Sequence, residues 1–311
     1  SKIDRWAKVS DDGELMELLG PVGDKRTESK VIHTALNISP CHYPSYTLSK
    51  NVDYPRDENV HQVFSVDNES TKDIDDALSV SVIGNKTIVG IHITDVAHTL
   101  YNRLDENDKT ELLSFAMNRA SSAYTDIENT PMLPPYLTYN ELSLSKNVIR
   151  KSITLWVTFD NASKQIVEHT FENCYVKNIS PVTYDTFKEK HSQEFGILSS
   201  LAYTNEPTDI VAWTMLLYNK YFANLEKDIL LRHQEGTEAA SYSHSVCKKI
   251  HHTIGCLYTH ATSPIRRYAD LYNQMKWHNW NVSLDLHELN VSSANVYLFH
   301  RKHSVMELSY A

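Results

Sequence analysis

Four aspartates inside a ten-residue window are the first place in this sequence where chemistry could be done. Asp67, Asp73, Asp75 and Asp76 lie in VDNESTKDIDDALSV, residues 66–80, between the apolar flanks FSV and ALSV. Carboxylates this close repel one another, and each loses hydration on leaving water. A solvated surface run would tolerate them, but such a run is rarely bracketed by strand-like apolar residues. A divalent cation resolves the conflict. Hard oxygen ligands suit Mg²⁺ or Mn²⁺, which keep several waters and then accept a substrate phosphate. The competing reading is an Asp-rich turn that caps a helix.

A second cluster is YTHATSPIRRYADL, residues 258–271. Thr262, Ser263 and Pro264 spell a helix start, cap residues followed by Pro at the first helical position. Free amides there, with the macrodipole, attract an anion. Arg266 and Arg267 would fall in the first turn, where a purely structural helix places acids. Two guanidiniums at that end suggest a phosphate held between them. The plainer alternative is an arginine paired with Asp270. Tyr124 opens a loop stiffened by PMLPP at 131–135. It is either a core tyrosine or an exposed ring on which a nucleobase stacks. Cys247, His251, Cys256 and His260 could be taken for a zinc set, but their spacing is not that of the usual fingers.

Such groups need rigid elements to hold them. From residue 60, VFSVD, ALSVSVI and TIVGIHITDVAH alternate or run apolar, with GNK at 84–86 as a tight hairpin turn. The aspartates therefore fall on the connection between two strands of one sheet. Asp95 and His98, closing the third strand, are expected to be structural. A helix is predicted over 107–120, and ITLWVTFD (153–160) and VEHTFENCYVKNI (167–179) as neighbouring strands. The second half is expected to be helical, with TYDTFKEK behind a Thr183 cap and a long run from about Asp209. In that run the stripe Ile210, Trp213, Leu217, Tyr221 and Leu225 reads as core. Residues 1–53, with a helical stretch SKVIHTALNI at 29–38 and a loop around Pro40 and Pro44, are expected to be a linker or the remnant of a preceding small barrel. Residues 54–311 would form the main domain.

A chain of 311 residues can bury a sizeable core. Its net charge of −9 argues against a nucleic-acid binder by bulk charge. A polyanionic partner would need locally gathered cations or a metal to supply the positive field. No window has the apolar length of a membrane span, and no secretory leader is visible. Four cysteines without CxxC spacing or disulfide density suggest a reducing compartment, with the cytoplasm as the expected location.

The Asp-x5-Asp-x-Asp-Asp cluster and the TSPIRRYAD segment, with PMLP between them, resemble the catalytic domain of the RNase II/RNase R family, related to the exosome nuclease. The resemblance extends through TKDIDDAL (71–78), GIHITDVAH (90–98), RASSAY (119–124), ELSLS (141–145), LLRH (230–233) and ASYS (240–243). GELMELLGPVGDK (13–25) is similar to the stretch that precedes the family's catalytic domain. The resemblance implies a mixed α/β (α+β) fold, a mixed sheet surrounded by helices, with a narrow channel for single-stranded RNA. It implies a hydrolytic 3′→5′ exoribonuclease that acts at an RNA 3′ end, uses Mg²⁺ or Mn²⁺ and releases nucleoside 5′-monophosphates. Asp67, Asp73, Asp75 and Asp76 match the family's four catalytic, metal-binding aspartates, Asp75 being the one on which activity most depends. Arg266 matches the arginine at the scissile phosphate, Tyr124 the tyrosine that stacks on the terminal base, and Arg267 joins the RNA-binding set. Glu307 is the nearby candidate for the glutamate that closes the family's site. The spacing from the aspartates to TSPIRRY is shorter than the family's, with material missing after 188–190 and after 230–233. Within these 311 residues no complete cold-shock barrel is expected before the domain and no oligonucleotide-binding barrel after it. The rival expectation is a catalytically silent member that binds RNA or serves as a scaffold.

Overall fold

The computed structural model describes residues 4–38, 42–49, 60–125, 129–235 and 240–310. The domain boundary expected at 53/54 and the loop proline Pro40 lie outside them. Strands β1 (Arg5–Val9) and β2 (Leu15–Pro21) pair as an antiparallel hairpin, and helix α1 (Lys25–Ala35) follows, capped by Asp24. The short β3 (His61–Val63) and β4 (Val66–Asp67) precede the hairpin of β5 (Asp76–Ile83) and β6 (Lys86–Thr94). Helices α2 (Val96–Arg103) and α3 (Glu106–Arg119) lead to the paired dipeptides β7 (Ala123–Tyr124) and β8 (Asn129–Thr130). Long strands β9 (Ile149–Asp160) and β10 (Ile166–Asn178) come next, then β11 (Val182–Thr183). Helices α4 (Tyr184–Lys190), α5 (Ser192–Ala202) and α6 (Pro207–Phe222) are followed by the hairpin β12 (Leu230–His233) and β13 (Ser241–His244). Helices α7 (Tyr268–Trp277) and α8 (Leu286–Tyr310) close the chain.

The main sheet runs β3-β10-β9-β6-β5, antiparallel except for the parallel pair β3 and β10. Alternate residues of its long strands face one core, where Leu78, Ile91, Leu155 and Val157 meet Phe187, Leu198, Ile210 and Phe222 from α4, α5 and α6. Burying each such side chain contributes roughly 1.5–3 kcal/mol. The expected stripe lies against this core, Ile210 fully and Trp213, Leu217 and Tyr221 of α6 partly buried, with Leu225 joining from the turn after the helix. A second core joins α2, α3 and α7 through Leu100, Leu112, Leu271 and Met275, and takes in Met132 and Leu133 of the proline-stiffened loop. The architecture is the expected mixed sheet with helices packed on it. Among the described residues no helix is long and apolar enough to cross a membrane.

Several local expectations need correcting. VFSVD is not one strand: β4 leaves the main sheet and pairs in parallel with β11, placing Asp67 opposite Thr183. The aspartates thus connect two different sheets. The helical run from Asp209 stops at Phe222, before a turn where Lys227 Nζ is tied to the Trp277 carbonyl (3.0 Å) and Asn279 Oδ1 (2.8 Å). LLRH and SYSH, in the stretch that breaks the helical pattern, pair antiparallel as strands, since tertiary pairing decides for short apolar runs. The turn at 84–86 is as expected, with Gly84 at φ +59° between the closing pair Ile83 and Lys86.

Gly90 in β6 marks a tight contact. A Cβ there would lie 2.6 Å from Trp156 Cζ3, 2.6 Å from His92 Nε2 and 2.5 Å from Ser79 Oγ. His92 is itself pinned by Ser79 Oγ (2.8 Å) and Thr154 Oγ1 (2.9 Å). Gly90→Ala should therefore destabilise the fold by about 1–3 kcal/mol. Urea unfolding would show this as a lower midpoint at unchanged m-value; an unchanged midpoint would mean that the indole yields freely.

Candidate active site

Asp75 joins the two clusters. Its buried carboxylate accepts the Ile265 amide at Oδ1 (2.8 Å), and Arg266 Nε lies 3.7 Å from Oδ2. Residues nearly two hundred positions apart thus share one acceptor. The backbone around Asp75 is held from other sides as well. Thr94 N donates to the Asp75 carbonyl (2.9 Å) and Leu144 N to the Ile74 carbonyl (2.9 Å). Ser143 Oγ donates to the Lys72 carbonyl (2.8 Å) and accepts from Ile74 N (3.0 Å). Burial pushes the Asp75 carboxyl well above the usual carboxylate range, while Arg266 and the Ile265 amide act against that rise.

The TSPIRRYAD segment departs from the expected helix start. Helix α7 begins at Tyr268, because Arg267 is held extended by a backbone bridge to Ser121. The amides expected to attract an external anion are already used: Ile265 N by Asp75, and Ser263 N by Asp270 Oδ1 (2.8 Å). Arg267 follows the plainer alternative, an ion pair with the fully buried Asp270 at 3.0 Å. Arg266 is the more open of the two arginines; its Nη2 donates to Ser263 Oγ (3.0 Å).

Tyr124 is neither a sealed core residue nor a free ring. Its hydroxyl donates to Asp73 Oδ2 at 2.5 Å, and its backbone amide donates to His300 Nε2 on α8 (3.1 Å). Burial first, then the charge of Asp73, pushes its phenol well above the ordinary range. The chain leading to it is stitched to the arginine: Ser122 N (2.9 Å) and Ser121 Oγ (2.8 Å) both donate to the Arg266 carbonyl. Met132 N donates to Ser122 Oγ (2.8 Å), tying in the PMLP loop.

The four aspartates do not form one ligand cage. Asp73 is engaged by Tyr124 and Asp75 by Ile265 and Arg266. Among the described residues, no three His, Cys, Asp or Glu side chains are gathered so as to hold a metal ion. Two carboxylates remain for a cation. Asp67 Oδ2 is buried without a partner, and the Asp76 side chain makes no hydrogen bond among the described residues. Burial pushes Asp67 up to about 6, the Ser65 hydroxyl opposing and Asp73 adding to the rise. Asp76 goes to about 7, from burial and the charge of Asp67. Two repelling, part-buried carboxylates with a spare oxygen fit Mg²⁺ or Mn²⁺, which needs only one or two carboxylates beside waters and substrate phosphate. Of the four aspartates expected to bind metal, Asp73 and Asp75 are bonded within the protein, and Asp67 and Asp76 have oxygens to spare.

Asp76 and Arg266 open into a cleft of about 700 Å³ that Tyr184, Asn219, Tyr258 and His260 also line. Tyr184 and His300 went unnoticed in the sequence. Tyr184 follows the two-residue β11, whose register puts Thr183 opposite Asp67. Burial, then Asp76 and Asp67, raises its phenol. No sequence pattern announces so short a pairing. His300 is reached only through the packing of α8 on β7. Glu307 lies two turns beyond His300, about 10 Å along the helix, and no interaction among the described residues ties it to the aspartates. Asp95 and His98 are structural: Asp95 caps α2 through His98 N (3.0 Å) and pairs with His278 (2.9 Å). The zinc set does not assemble. His251 and Cys256 face each other as a backbone bridge, and His260 Nδ1 is bonded to Tyr242.

Residues 56–196 match the family described as RNB domain. The chain is 27% identical over 226 residues to DIS3-like exonuclease 2 of Schizosaccharomyces pombe, covering 67% of this chain and 24% of that protein. It is 31% identical over 147 residues to ribonuclease R of Chlamydia pneumoniae, covering 45% and 20%. The chain thus spans a quarter or less of the length of these relatives. The fold is similar to Mycoplasma genitalium RNase R in complex with ribose-methylated single-stranded RNA, with TM-score 0.73 and 17% identity, over 94% of this chain and 65% of that one. It is similar as well to yeast Ssd1, a pseudonuclease, with TM-score 0.72 and 17% identity, over 97% and 52%.

The raised carboxyls carry a stability signature. Asp67 and Asp76 hold protons in the folded chain at pH values where unfolded carboxyls, near 3.9, have lost them; Asp75 acts in the same direction. Without metal these carboxyls therefore contribute a stability that falls as pH rises from about 4 to about 7, by up to about 1.4 kcal/mol per unit per carboxyl, while buried neutral histidines such as His92 and His260, held below the usual histidine range, contribute in the opposite sense. The carboxyl part is read as a difference: in chelator the stability of Asp76→Asn relative to its parent should increase from about pH 4 to about pH 7, and Mg²⁺ at about pH 7.5 should raise the parent's Tm. A difference that stays flat or shrinks across this window would refute the assignment.

Proposed function

We propose that this chain, a member of the RNB-domain family of ribonucleases, is a metal-dependent hydrolase that shortens single-stranded RNA from its 3′ end and releases nucleoside 5′-monophosphates. The observation that carries the reading is the contact of Asp75 with Ile265 and Arg266, which brings the acidic loop and the arginine segment into one site beside an open cleft. Asp67 and Asp76 would hold Mg²⁺ or Mn²⁺. When bound, the ion supplies Lewis-acid stabilisation of phosphoryl oxygens and a more acidic water. Arg266 neutralises charge on the phosphate that is cut. Asp75 keeps Arg266 aimed at it. Tyr124, backed by His300, offers a ring for the terminal base. A cation among the carboxylates also answers the charge problem, since a net −9 chain would otherwise repel a polyanion. The cytoplasm is the location that fits the cysteine pattern.

A second reading, an RNA-binding member without turnover, draws on two observations. Asp73 and Asp75 already have protein partners, and one similar structure is a pseudonuclease. Incubation of a 3′-tailed, end-labelled RNA should give a ladder of shortened products with Mg²⁺, none with chelator and none for Asp75→Asn. Arg266→Ala should slow the ladder by about 10²–10³-fold. RNA bound but never shortened would establish the second reading, and cleavage of DNA alone would reject both.

A further inference from the structure

His260 sits in the wall of the cleft with Arg266, yet nothing above gives it a task. Its Nδ1 lies 2.7 Å from the Tyr242 hydroxyl. A phenol is a stronger acid than a neutral imidazole N–H, and an imidazole nitrogen is a better acceptor than a phenol oxygen, so Tyr242 is the donor. Tyr242 is buried and keeps its proton: burial raises the phenol, the Arg267 and Arg232 guanidiniums opposing. Arg232, 5.3 Å from the ring centroid, further sharpens the O–H as a donor. With Nδ1 accepting, the single proton of the neutral ring must sit on Nε2. Nε2 has no hydrogen-bond partner among the described residues, while the residue itself lines the cleft.

The ring stays neutral. Burial lowers its proton affinity well below the usual histidine range, and Arg267, Arg232 and Arg266 all act the same way. A neutral ring locked in one tautomer is unsuited to moving protons. It is a directional donor of fixed geometry. The surrounding guanidiniums select an anionic acceptor, and in a cleft that takes RNA this is a backbone phosphate.

We infer that His260 Nε2–H, oriented by Tyr242, donates to a non-bridging oxygen of an RNA phosphate in the cleft near Arg266, making His260 a positioning residue for the substrate strand. The inference rests on the RNA reading above.

Three measurements test it. In an Asp75→Asn background with Mg²⁺, anisotropy of a 3′-tailed RNA should weaken about tenfold for His260→Leu. It should weaken much less for His260→Gln, whose amide N–H can take the place of Nε2–H. Neutral methylphosphonates placed one linkage at a time should reveal one position that weakens binding to the histidine protein but not to the leucine variant. Single 2′-deoxy substitutions serve as the comparison, and sensitivity there alone would move the contact to the sugar and overturn the inference. Long-range ¹H–¹⁵N correlation should place the His260 proton on Nε2, with mixed tautomers in Tyr242→Phe. Equal affinity of the Leu variant and its parent, or a proton on Nδ1, refutes the inference. Should His260→Leu not fold, the Gln variant and the methylphosphonate scan still decide. Failure of every form to bind RNA would instead reject the RNA reading, while the tautomer measurement stands by itself.

Discussion

A buried carboxylate is the constraint on which this structure depends. Asp75 sits away from water between an amide and a guanidinium, and its desolvation is tolerable only because both are there. That requirement draws the turn before α7 onto the loop before β5. The neighbouring contacts then follow: Ser121 and Ser122 reach the Arg266 carbonyl, Ser143 braces the aspartate loop, and Met132 is held by Ser122. Segments scattered from residue 72 to residue 268 become one frame through these hydrogen bonds and through the core that buries Met132, Leu142, Ile265 and Tyr268.

The same frame divides the four carboxylates into two kinds. Asp73 and Asp75 spend their oxygens on the protein, as acceptors for Tyr124, Ile265 and Arg266. Asp67 and Asp76 are held more loosely: the Ser65 hydroxyl opposes the rise at Asp67 and Arg266 that at Asp76, but burial and neighbouring carboxylate charge outweigh them. A single electrostatic conflict thus leaves one pair bonded within the protein and the other with oxygens to spare for the cation proposed above.

Much of this was legible in the residues. Strand patterning marks β5, β6 and β9, and the Thr183 cap marks the start of α4, because those strands bury one face and a helix end needs partners. The chemistry of the site was legible in residue types, since clustered carboxylates and paired arginines have few stable environments. What escaped was whatever long-range geometry decides. The parallel dipeptide pair β4 and β11 carries no pattern of its own, yet it places Tyr184 beside the carboxylates. The helix start at Ser263 was locally plausible, but a bridge between Arg267 and Ser121 postpones it to Tyr268. Glu307 is near in sequence, but it is His300 that α8 turns towards Tyr124.

The double duty of Asp75 bears on how sequences of this kind diverge. A lineage that abandoned catalysis would still be under selection to keep an acid at position 75, since losing it would leave the buried Ile265 amide without its acceptor and Arg266 without its counter-charge. Positions 67 and 76 carry no such obligation to folding and would be released first. Retention of an acid at position 75 is therefore a poor marker of a working enzyme, and the informative comparison among homologues is whether the acids at 67 and 76 survive together.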